Sequence, residues 1–333
     1  MKTIFLCDRD DIFRCVYAPE TIAELCEIAD ASDKVFTKAD VMADPGAFAD
    51  TEFVFSTWAM PSFTEDEIKA VFPSLKCIFY GAGTVQGFAA PFLACGVKVF
   101  SAWAANGVPV AEYTVAQIIL ANKGFFASSR FQSIGDLDSA RKVASPYPGN
   151  YGGKVGIIGA GMIGKTVIRM LKNYRLSCMV FDPFLSDEDA AELGVTKCTL
   201  HEIFSECEVV SNHLADNDRT KGMLTGEHFA LMKPNATFIN TGRGAQVVED
   251  DLIRVLTNRP DITAILDVTD PEPPVEGSPF YTLPNCILTP HIAGSKGNEV
   301  HRMSEYMVEE YRKHVAGEPS PYEVTAKMLE TMA

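Results

Sequence analysis

The feature that most constrains this chain is a glycine-rich turn between a strand-like and a helix-like segment. Residues 155–158 form a short apolar run, as expected for a buried strand. Gly159-x-Gly161-x-x-Gly164 follows, and residues 163–171 continue with helical spacing. In this context such a motif binds the pyrophosphate of a dinucleotide at the helix N-terminus. The alternative is a glycine turn in another kind of α/β protein.

The next predicted strand, residues 177–181, ends at Asp182. An acidic side chain there can accept hydrogen bonds from the ribose hydroxyls of the adenosine, and it repels a 2′-phosphate. The sequence therefore predicts NAD rather than NADP as the cofactor. We expect contacts from the three glycines, from Met162 and Ile163 at the start of the helix, and from Asp182.

The 333 residues are enough for two domains. Of these residues 47% are hydrophobic and 22% are charged, which is typical of a globular protein. No apolar run reaches the length of a membrane span, and the N-terminal one is too short for a signal peptide. A net charge of −15 disfavours nucleic acid and acidic membrane surfaces as partners. Nine cysteines without a C-x-x-C pair indicate free thiols in a reducing cytoplasm. The six histidines lack zinc spacing, so we expect no metal.

Strand-like and helix-like segments alternate along both halves of the chain, which predicts parallel sheets. The predicted strands of the first half are residues 3–7, 34–36, 53–57, 75–80 and 97–100, with helices at 19–29 and 64–72. The second half adds strands 208–211, 236–240, 262–267 and 286–289, and helices 186–193, 225–232, 248–256 and 298–315. Between the halves we expect one long helix over residues 106–126, a polar stretch over 127–144, and a break in regular structure over 145–153.

A second glycine turn follows the predicted strand 75–80, with the sequence Gly81-Ala82-Gly83-Thr84. Ligands bind at the carboxyl ends of parallel strands, so the N–H groups of Ala82, Gly83 and Thr84 are candidates to hold a small carboxylate. Trp58, on the loop after the third strand, is a candidate to close over the substrate. For the turn, the alternative is that its glycines only supply unusual backbone angles. For Trp58, the alternative is ordinary packing.

Three later strand ends carry side chains suited to hydride-transfer chemistry. Arg243 lies between Gly242 and Gly244, and its planar fork can bind a carboxylate and polarise a carbonyl. His291 follows the last strand and titrates in the range needed by an acid or base. Glu272, in a proline-rich segment, would raise the pKa of that histidine and fix its orientation. Each residue has an alternative explanation. Arg243 would be a surface arginine, the segment of Glu272 a solvated acidic loop, and His291 a structural histidine.

With these motifs in this order, the sequence resembles the D-isomer-specific 2-hydroxyacid dehydrogenase family. The resemblance rests on the glycine motif, Asn240-Thr241-Gly242-Arg243-Gly244, Asp267-Val268 with Glu272-Pro273, and Thr289-Pro290-His291. It implies that Arg243, Glu272 and His291 are catalytic. It also implies an α/β fold of two doubly wound parallel-sheet domains. In that fold a Rossmann NAD-binding domain, residues 102–294, is inserted into a flavodoxin-like substrate domain formed by residues 1–101 and 295–333.

The resemblance further implies a homodimer through the 106–126 region and additional cofactor contacts. The implied contacts are Leu214, Ala215, Thr220, Thr241, Gly242, Arg243, Asp267, His291 and Gly294. The sequence departs from the family pattern at three places. Tyr113 stands where the family usually has histidine, Ala215 where it usually has proline, and Val85-Gln86 where it commonly has Asp-Asn.

The sequence therefore predicts a cytoplasmic, NAD-dependent oxidoreductase that interconverts a D-2-hydroxy acid and its 2-oxo acid. The alternative from another class is an NAD(H)-sensing regulatory or scaffold protein, similar to a corepressor, that uses the same fold. A reductase of neutral carbonyl compounds is a third possibility, against which Arg243 and the turn at Gly83 argue.

Overall fold

The computed structural model describes residues 3–330 and divides them into two compact units. One unit runs up to Gly107 and resumes at Ser295, and the other is Val108–Gly294. The predicted boundary after Ser101 thus differs from this division, which keeps residues 102–107 with the first unit. The first unit is made of two separate segments of chain, and the second unit contains the Gly159–Gly164 motif.

The helices and strands alternate through most of the chain. The strands are β1 Thr3–Leu6, β2 Val35–Phe36, β3 Phe53–Ser56, β4 Cys77–Tyr80, β5 Lys98–Ser101, β6 Tyr151–Ile158, β7 Arg175–Phe181, β8 Thr196–Lys197, β9 Val209–Asn212, β10 Thr237–Asn240, β11 Thr263–Leu266, β12 Cys286–Leu288 and β13 Glu323–Val324. The helices are α1 Asp10–Val16, α2 Pro19–Ile28, α3 Lys38–Ala43, α4 Glu65–Val71, α5 Ala89–Ala94, α6 Trp103–Ala121, α7 Phe125–Ser133, α8 Leu137–Ala144, α9 Met162–Leu171, α10 Asp187–Leu193, α11 Leu200–Glu206, α12 Gly226–Ala230, α13 Glu249–Asn258 and α14 His301–Ala316.

The sheet of the first unit has the order β13-β5-β4-β3-β1-β2. Strands β1 to β5 pair in parallel in the flavodoxin-like order, whereas β13 pairs with β5 in antiparallel fashion. Phe55 of β3, Phe79 of β4 and Phe100 of β5 stack in a row, with adjacent ring centroids 5.0 Å apart. This row is fully buried and forms the centre of the unit's core, and it fixes β3, β4 and β5 beside one another.

The sheet of the second unit has the order β12-β11-β10-β9-β6-β7-β8, and all its pairs are parallel. This is the Rossmann order of six strands with β12 added at one edge. Separate apolar clusters pack on the sheet, one around Phe204 and Phe238 and the other around Ile157 and Ile239. From β6 the chain adds β7 and β8 on one side and then β9 to β12 on the other, so the glycine turn after β6 lies at the switch point of the strand order. The predicted fold class is confirmed.

Several local predictions are wrong in informative ways. The long helix predicted over residues 106–126 is divided, because α6 ends at Ala121 and Gly124 adopts φ +65° before α7. A Cβ atom at Gly124 would lie 2.5 Å from the ring of Tyr147, so only glycine fits at this break. The predicted irregular stretch 145–153 ends earlier, since β6 already begins at Tyr151. The described helices include none that is both long and apolar enough to cross a membrane.

Candidate active site

The turn between β6 and α9 assigns each of its three glycines a different physical task. Gly159 has φ +91°, and a Cβ atom there would lie 2.7 Å from the carbonyl oxygen of His213. A Cβ atom at Gly164 would lie 2.1 Å from the carbonyl oxygen of Gly159, so only glycine lets α9 approach the turn. At Gly161 a Cβ atom would meet nothing within 4 Å. The space in front of Gly161 is therefore open to a pyrophosphate, which Met162 and Ile163 would meet at the start of α9.

Asp182 lies directly after β7 and supports this turn. Its Oδ2 accepts a hydrogen bond of 2.6 Å from the N–H of Ala160, and its Oδ1 accepts one of 2.7 Å from the N–H of Phe184. Each carboxylate oxygen retains further acceptor capacity, so the side chain can also receive ribose hydroxyls. The residues of the turn and Asp182 therefore fit a dinucleotide.

A buried amide network that the sequence analysis missed connects β9, β10 and the turn that follows β10. Asn212 Nδ2 donates to Asn240 Oδ1 at 3.0 Å and to Gln246 Oε1 at 2.5 Å. Gln246 Nε2 donates to the carbonyl oxygens of Leu214 at 2.8 Å and Ala215 at 3.0 Å. The network thus holds two of the predicted cofactor contacts in place. Asparagines at the ends of two adjacent parallel strands were the signal that could have revealed it.

The segment after β9 is also held by its own side chains. Thr220 Oγ1 donates to the carbonyl oxygen of Ala215 at 2.7 Å. His213 bonds through Nε2 to Ser211 Oγ at 2.9 Å, and its Nδ1 is buried without a partner. Although part of the residue reaches the surface, burial of the ring lowers the pKa of His213 to about 4. The imidazole is therefore neutral near pH 7.

Arg243 lies in the turn between β10 and α13, and this turn belongs to the amide network. Asn240 Nδ2 donates to the carbonyl oxygen of Arg243 at 3.0 Å, and the N–H of Arg243 donates to Gln246 Oε1 at 3.3 Å. Its guanidinium uses Nη1 to bond the carbonyl oxygen of Gly242 at 2.9 Å. A guanidinium has five N–H donors, so the remaining ones can bind a carboxylate.

His291 and Glu272 are brought together at the carboxyl end of the second sheet. His291 Nδ1 lies 2.8 Å from Glu272 Oε1, and both side chains are nearly half exposed. Both residues line a surface cavity of about 400 Å³. The pair meets the requirement of an accessible acid or base whose orientation is fixed by a carboxylate.

Asp267, one of the predicted cofactor contacts, has a buried carboxylate that accepts hydrogen bonds within the protein. The residue is 2% exposed, and its Oδ1 accepts from Thr289 Oγ1 at 2.5 Å and from the N–H of Ile292 at 2.9 Å. Its Oδ2 accepts from the N–H of Ala293 at 2.8 Å. The carboxylate is thus engaged by the segment that carries His291, immediately before Gly294.

In the first unit, the turn Gly81–Thr84 follows β4 and is held by hydroxyl groups. Thr57 Oγ1 donates to the carbonyl oxygen of Gly81 at 2.8 Å. Ser101 Oγ lies within hydrogen-bonding distance of the carbonyl oxygens of Ala82, at 2.9 Å, and Gly83, at 2.6 Å. In a trans peptide the N–H points opposite to the C=O, so the N–H groups of Gly83 and Thr84 point away from Ser101.

The expected contribution of Ala82 to carboxylate binding needs correction. Its N–H donates to the carbonyl oxygen of Tyr80 at 2.9 Å and therefore stabilises the turn itself. Trp58 lies after β3 with 38% of its surface exposed, and its carbonyl oxygen accepts a bond from Cys7 Sγ at 3.1 Å. The indole is therefore displayed on a loop whose backbone is tied to β1.

Comparisons with known proteins give a consistent assignment. A model of the D-isomer specific 2-hydroxyacid dehydrogenase family, NAD binding domain, matches residues 115–293. YoaD of Bacillus subtilis, which carries a 2-hydroxyacid dehydrogenase name, is 33% identical over 204 residues, or 60% of this chain and 58% of that protein. The D-3-phosphoglycerate dehydrogenase of the same organism is 30% identical over 230 residues, or 67% of this chain and 42% of that protein.

Among solved structures, the NAD-complexed D-isomer specific 2-hydroxyacid dehydrogenase of Lactobacillus delbrueckii ssp. bulgaricus aligns with a TM-score of 0.77 at 20% identity. That alignment covers 97% of this chain and 100% of the other. The chain spans about half the length of the first two relatives. The match to the family's NAD binding domain confirms both the resemblance drawn from the motifs and NAD as the cofactor.

Proposed function

Because the chain belongs to the D-isomer specific 2-hydroxyacid dehydrogenase family, we propose that it is an NAD-dependent oxidoreductase of D-2-hydroxy acids and 2-oxo acids. The observation that carries the proposal is the 2.8 Å pairing of His291 Nδ1 with Glu272 Oε1 in the unit that also holds the glycine turn. An acid/base pair beside a dinucleotide site is what hydride transfer at a carbinol carbon requires.

The roles of the side chains follow from their contacts. Bound NAD supplies the acceptor or donor of the hydride. Glu272 accepts the Nδ1–H of His291, which leaves Nε2 to take the hydroxyl proton during oxidation and to return it during reduction. Arg243 binds the substrate carboxylate with the N–H groups that Gly242 does not use, and it stabilises charge on the reacting oxygen.

We propose that the turn after β4, in the first unit, is a carboxylate-binding turn. The carbonyl oxygens of Ala82 and Gly83 share the single hydroxyl proton of Ser101, and this orients the N–H groups of Gly83 and Thr84 away from the serine. Backbone donors fixed in this way need no reorganisation when a carboxylate binds. Trp58 is our candidate for the contact with the substrate side chain. The Val85-Gln86 departure from the family pattern leaves these backbone donors in place.

We also propose that the protein acts as a homodimer in a reducing cytoplasm. Helices α6 to α8 and their connections display Leu120, Phe125, Ile134 and Leu137 to solvent, with Ile134 78% exposed. A second copy that covers this apolar surface would account for it. The nine cysteines are free thiols, which supports a reducing compartment. Light scattering should give twice the chain mass, and Ile134→Asp should lower it.

A panel of 2-oxo acids tests the proposed reaction. Glyoxylate, pyruvate, hydroxypyruvate, 2-oxoisocaproate and phenylpyruvate are each mixed with the protein and NADH, and the loss of NADH absorbance is followed. We expect turnover with at least one acid and none with an aldehyde that lacks the carboxylate. Binding of NADH without turnover across the panel would favour the NAD(H)-sensing alternative, which the comparisons do not support.

A further inference from the structure

Two successive residues of α6 contact the two loops that present the candidate catalytic side chains. Tyr113 Oη lies 3.0 Å from Thr289 Oγ1, in the segment that leads to His291. Thr114 Oγ1 lies 3.2 Å from Thr241 Oγ1, in the turn that leads to Arg243. None of these four side chains belongs to the reacting groups. Together they connect α6 to the segments that carry His291 and Arg243.

The hydrogen bonds from Tyr113 have a defined direction. Asp267 receives two backbone N–H groups as well as the hydroxyl of Thr289, so its carboxylate acts as the acceptor. Thr289 therefore donates its single proton to Asp267 Oδ1 and can only accept from Tyr113. The order is Tyr113 to Thr289 to Asp267. The phenol of Tyr113 supplies the donor that this series of hydrogen bonds requires.

This series of hydrogen bonds ends at the backbone of the segment that carries His291. His291 has φ +51°, a left-handed conformation that a side chain with a Cβ atom adopts only when its surroundings enforce it. Asp267 bonds the N–H groups of Ile292 and Ala293 on one side of this residue and Thr289 on the other. The N–H of His291 itself bonds the carbonyl oxygen of Asp267 at 3.1 Å. Asp267 thus determines where the imidazole meets Glu272.

We propose that Tyr113 and Thr114 are positioning residues. Tyr113 fixes the position of His291 through Thr289 and Asp267. Thr114 fixes the position of Arg243 through Thr241. This inference rests on the proposed function, and it concerns a position where the chain departs from the usual histidine. It assigns the two members of the pair different kinetic effects. Tyr113 acts on the group that moves the proton, and Thr114 acts on the group that binds the substrate carboxylate.

Tyr113→Phe tests the first contact by removing only the hydroxyl. We expect kcat to fall about five- to tenfold, as for the loss of one oriented hydrogen bond, while the KM for NADH stays within about twofold. An unchanged kcat would overturn the proposal.

Tyr147→Phe is the matched control in the same unit, since this half-buried phenol bonds Thr263 at the amino end of β11, opposite to the strand ends that lead to the two loops. It should lower the melting temperature and leave kcat near the wild-type value. Equal kinetic changes in both variants would show that Tyr113 is merely structural. If Tyr113→Phe does not fold, Thr289→Val and Thr289→Ser provide a second comparison. The serine should retain the rate and the valine should lose it, and equal rates would overturn the proposal.

Thr114→Val tests the second contact. It should raise the KM for the 2-oxo acid about threefold or more and lower kcat less than Tyr113→Phe does, because Arg243, which binds the carboxylate and stabilises the reacting oxygen, is disturbed rather than His291. A selective loss of kcat would contradict the assignment.

A spectroscopic measurement separates this inference from the proposed reaction. Nitrogen NMR of labelled histidines identifies His291 by the signal that His291→Ala lacks. Tyr113→Phe should shift the His291 signal while leaving the His213 signal unaffected. This holds even if no 2-oxo acid is turned over, so the proposed function can fail while the positioning inference stands. An unchanged His291 signal in Tyr113→Phe would overturn the inference alone.

Discussion

The glycine turns that follow the parallel strands β6 and β4 are built in opposite ways. In the turn after β6, steric contact excludes side chains at Gly159 and Gly164, while Gly161 faces open space before the N-terminus of the ten-residue helix α9. In the turn after β4, a Cβ atom at Gly83 would come no nearer than 3.9 Å to other atoms, and hydroxyl groups hold the carbonyl oxygens instead.

The difference explains why the two turns suit different anions. A pyrophosphate requires close backbone approach and a helix N-terminus, so its turn requires glycine for packing at Gly159 and Gly164 and for ligand approach at Gly161, and this pattern is visible in the sequence. A single carboxylate requires only a few oriented N–H groups. That turn can therefore be fixed by Thr57 and Ser101, which are distant in sequence from Gly83.

The largest effect should come from adding one methyl group to the dinucleotide turn. Gly164→Ala places a Cβ atom 2.1 Å from the carbonyl oxygen of Gly159, so the turn must distort, and we expect NADH binding to be lost together with much of the stability. Gly161→Ala is the matched variant, because its Cβ atom meets open space. It should keep the melting temperature near the wild-type value and weaken NADH binding. Equal stability of both variants would contradict the steric account.

The second largest effect separates proton transfer from dinucleotide binding. His291→Ala removes the acid/base group and should lower kcat about a hundred- to ten-thousand-fold, while the Kd for NADH changes little. Single-turnover rates and a fluorescence titration with NADH measure the two quantities. A variant with wild-type turnover would exclude His291 as the acid/base.

Gly83→Ala probes the carboxylate turn with the same methyl group. Space is available within the first unit, so the melting temperature should stay near the wild-type value. The methyl group would crowd the N–H groups that bind the carboxylate, and the KM for the 2-oxo acid should rise about tenfold. Unchanged KM values would mean that the carboxylate does not bind at this turn.

Asp182→Ala tests the selection of NAD at the edge of the dinucleotide turn. Removing the carboxylate removes its repulsion of a 2′-phosphate, so the preference for NADH over NADPH should fall about tenfold or more in kcat/KM. Asp182→Asn, which keeps the size and loses the charge, should give most of this change. Discrimination that stays as in the wild type would exclude Asp182 as the selector.

The smallest effect concerns His213, whose carbonyl oxygen lies against Gly159. Burial lowers the pKa of its ring to about 4, so the unfolded chain takes up this proton near pH 6.5 and the folded chain does not. Stability should therefore fall as the pH drops from about 6.5 to about 4, by at most about 1.4 kcal/mol per unit. Melting temperatures of His213→Gln should fall less steeply over this range. Parallel curves for both proteins would contradict the burial account.

The sequence was most informative where local chemistry determines the structure. Spacing and glycines predicted the β6-turn-α9 unit, and alternation predicted both sheets. The end of α6 was missed, although Gly124 is a helix-ending signal. The amide network of Asn212, Asn240 and Gln246 and the contact of Tyr113 with Thr289 join residues far apart in the chain. Such contacts arise only when the sheet brings strand ends together, so spacing alone does not reveal them.

The most direct test of the account is the oxidation of each enantiomer of one 2-hydroxy acid by NAD. The acid corresponding to the best 2-oxo acid of the panel is supplied as the D and as the L isomer, and the formation of NADH is followed. We expect NADH from the D isomer only, and almost none from either isomer with His291→Ala. NADH from the L isomer at a comparable rate, or from neither isomer while NADH still binds, would contradict the account.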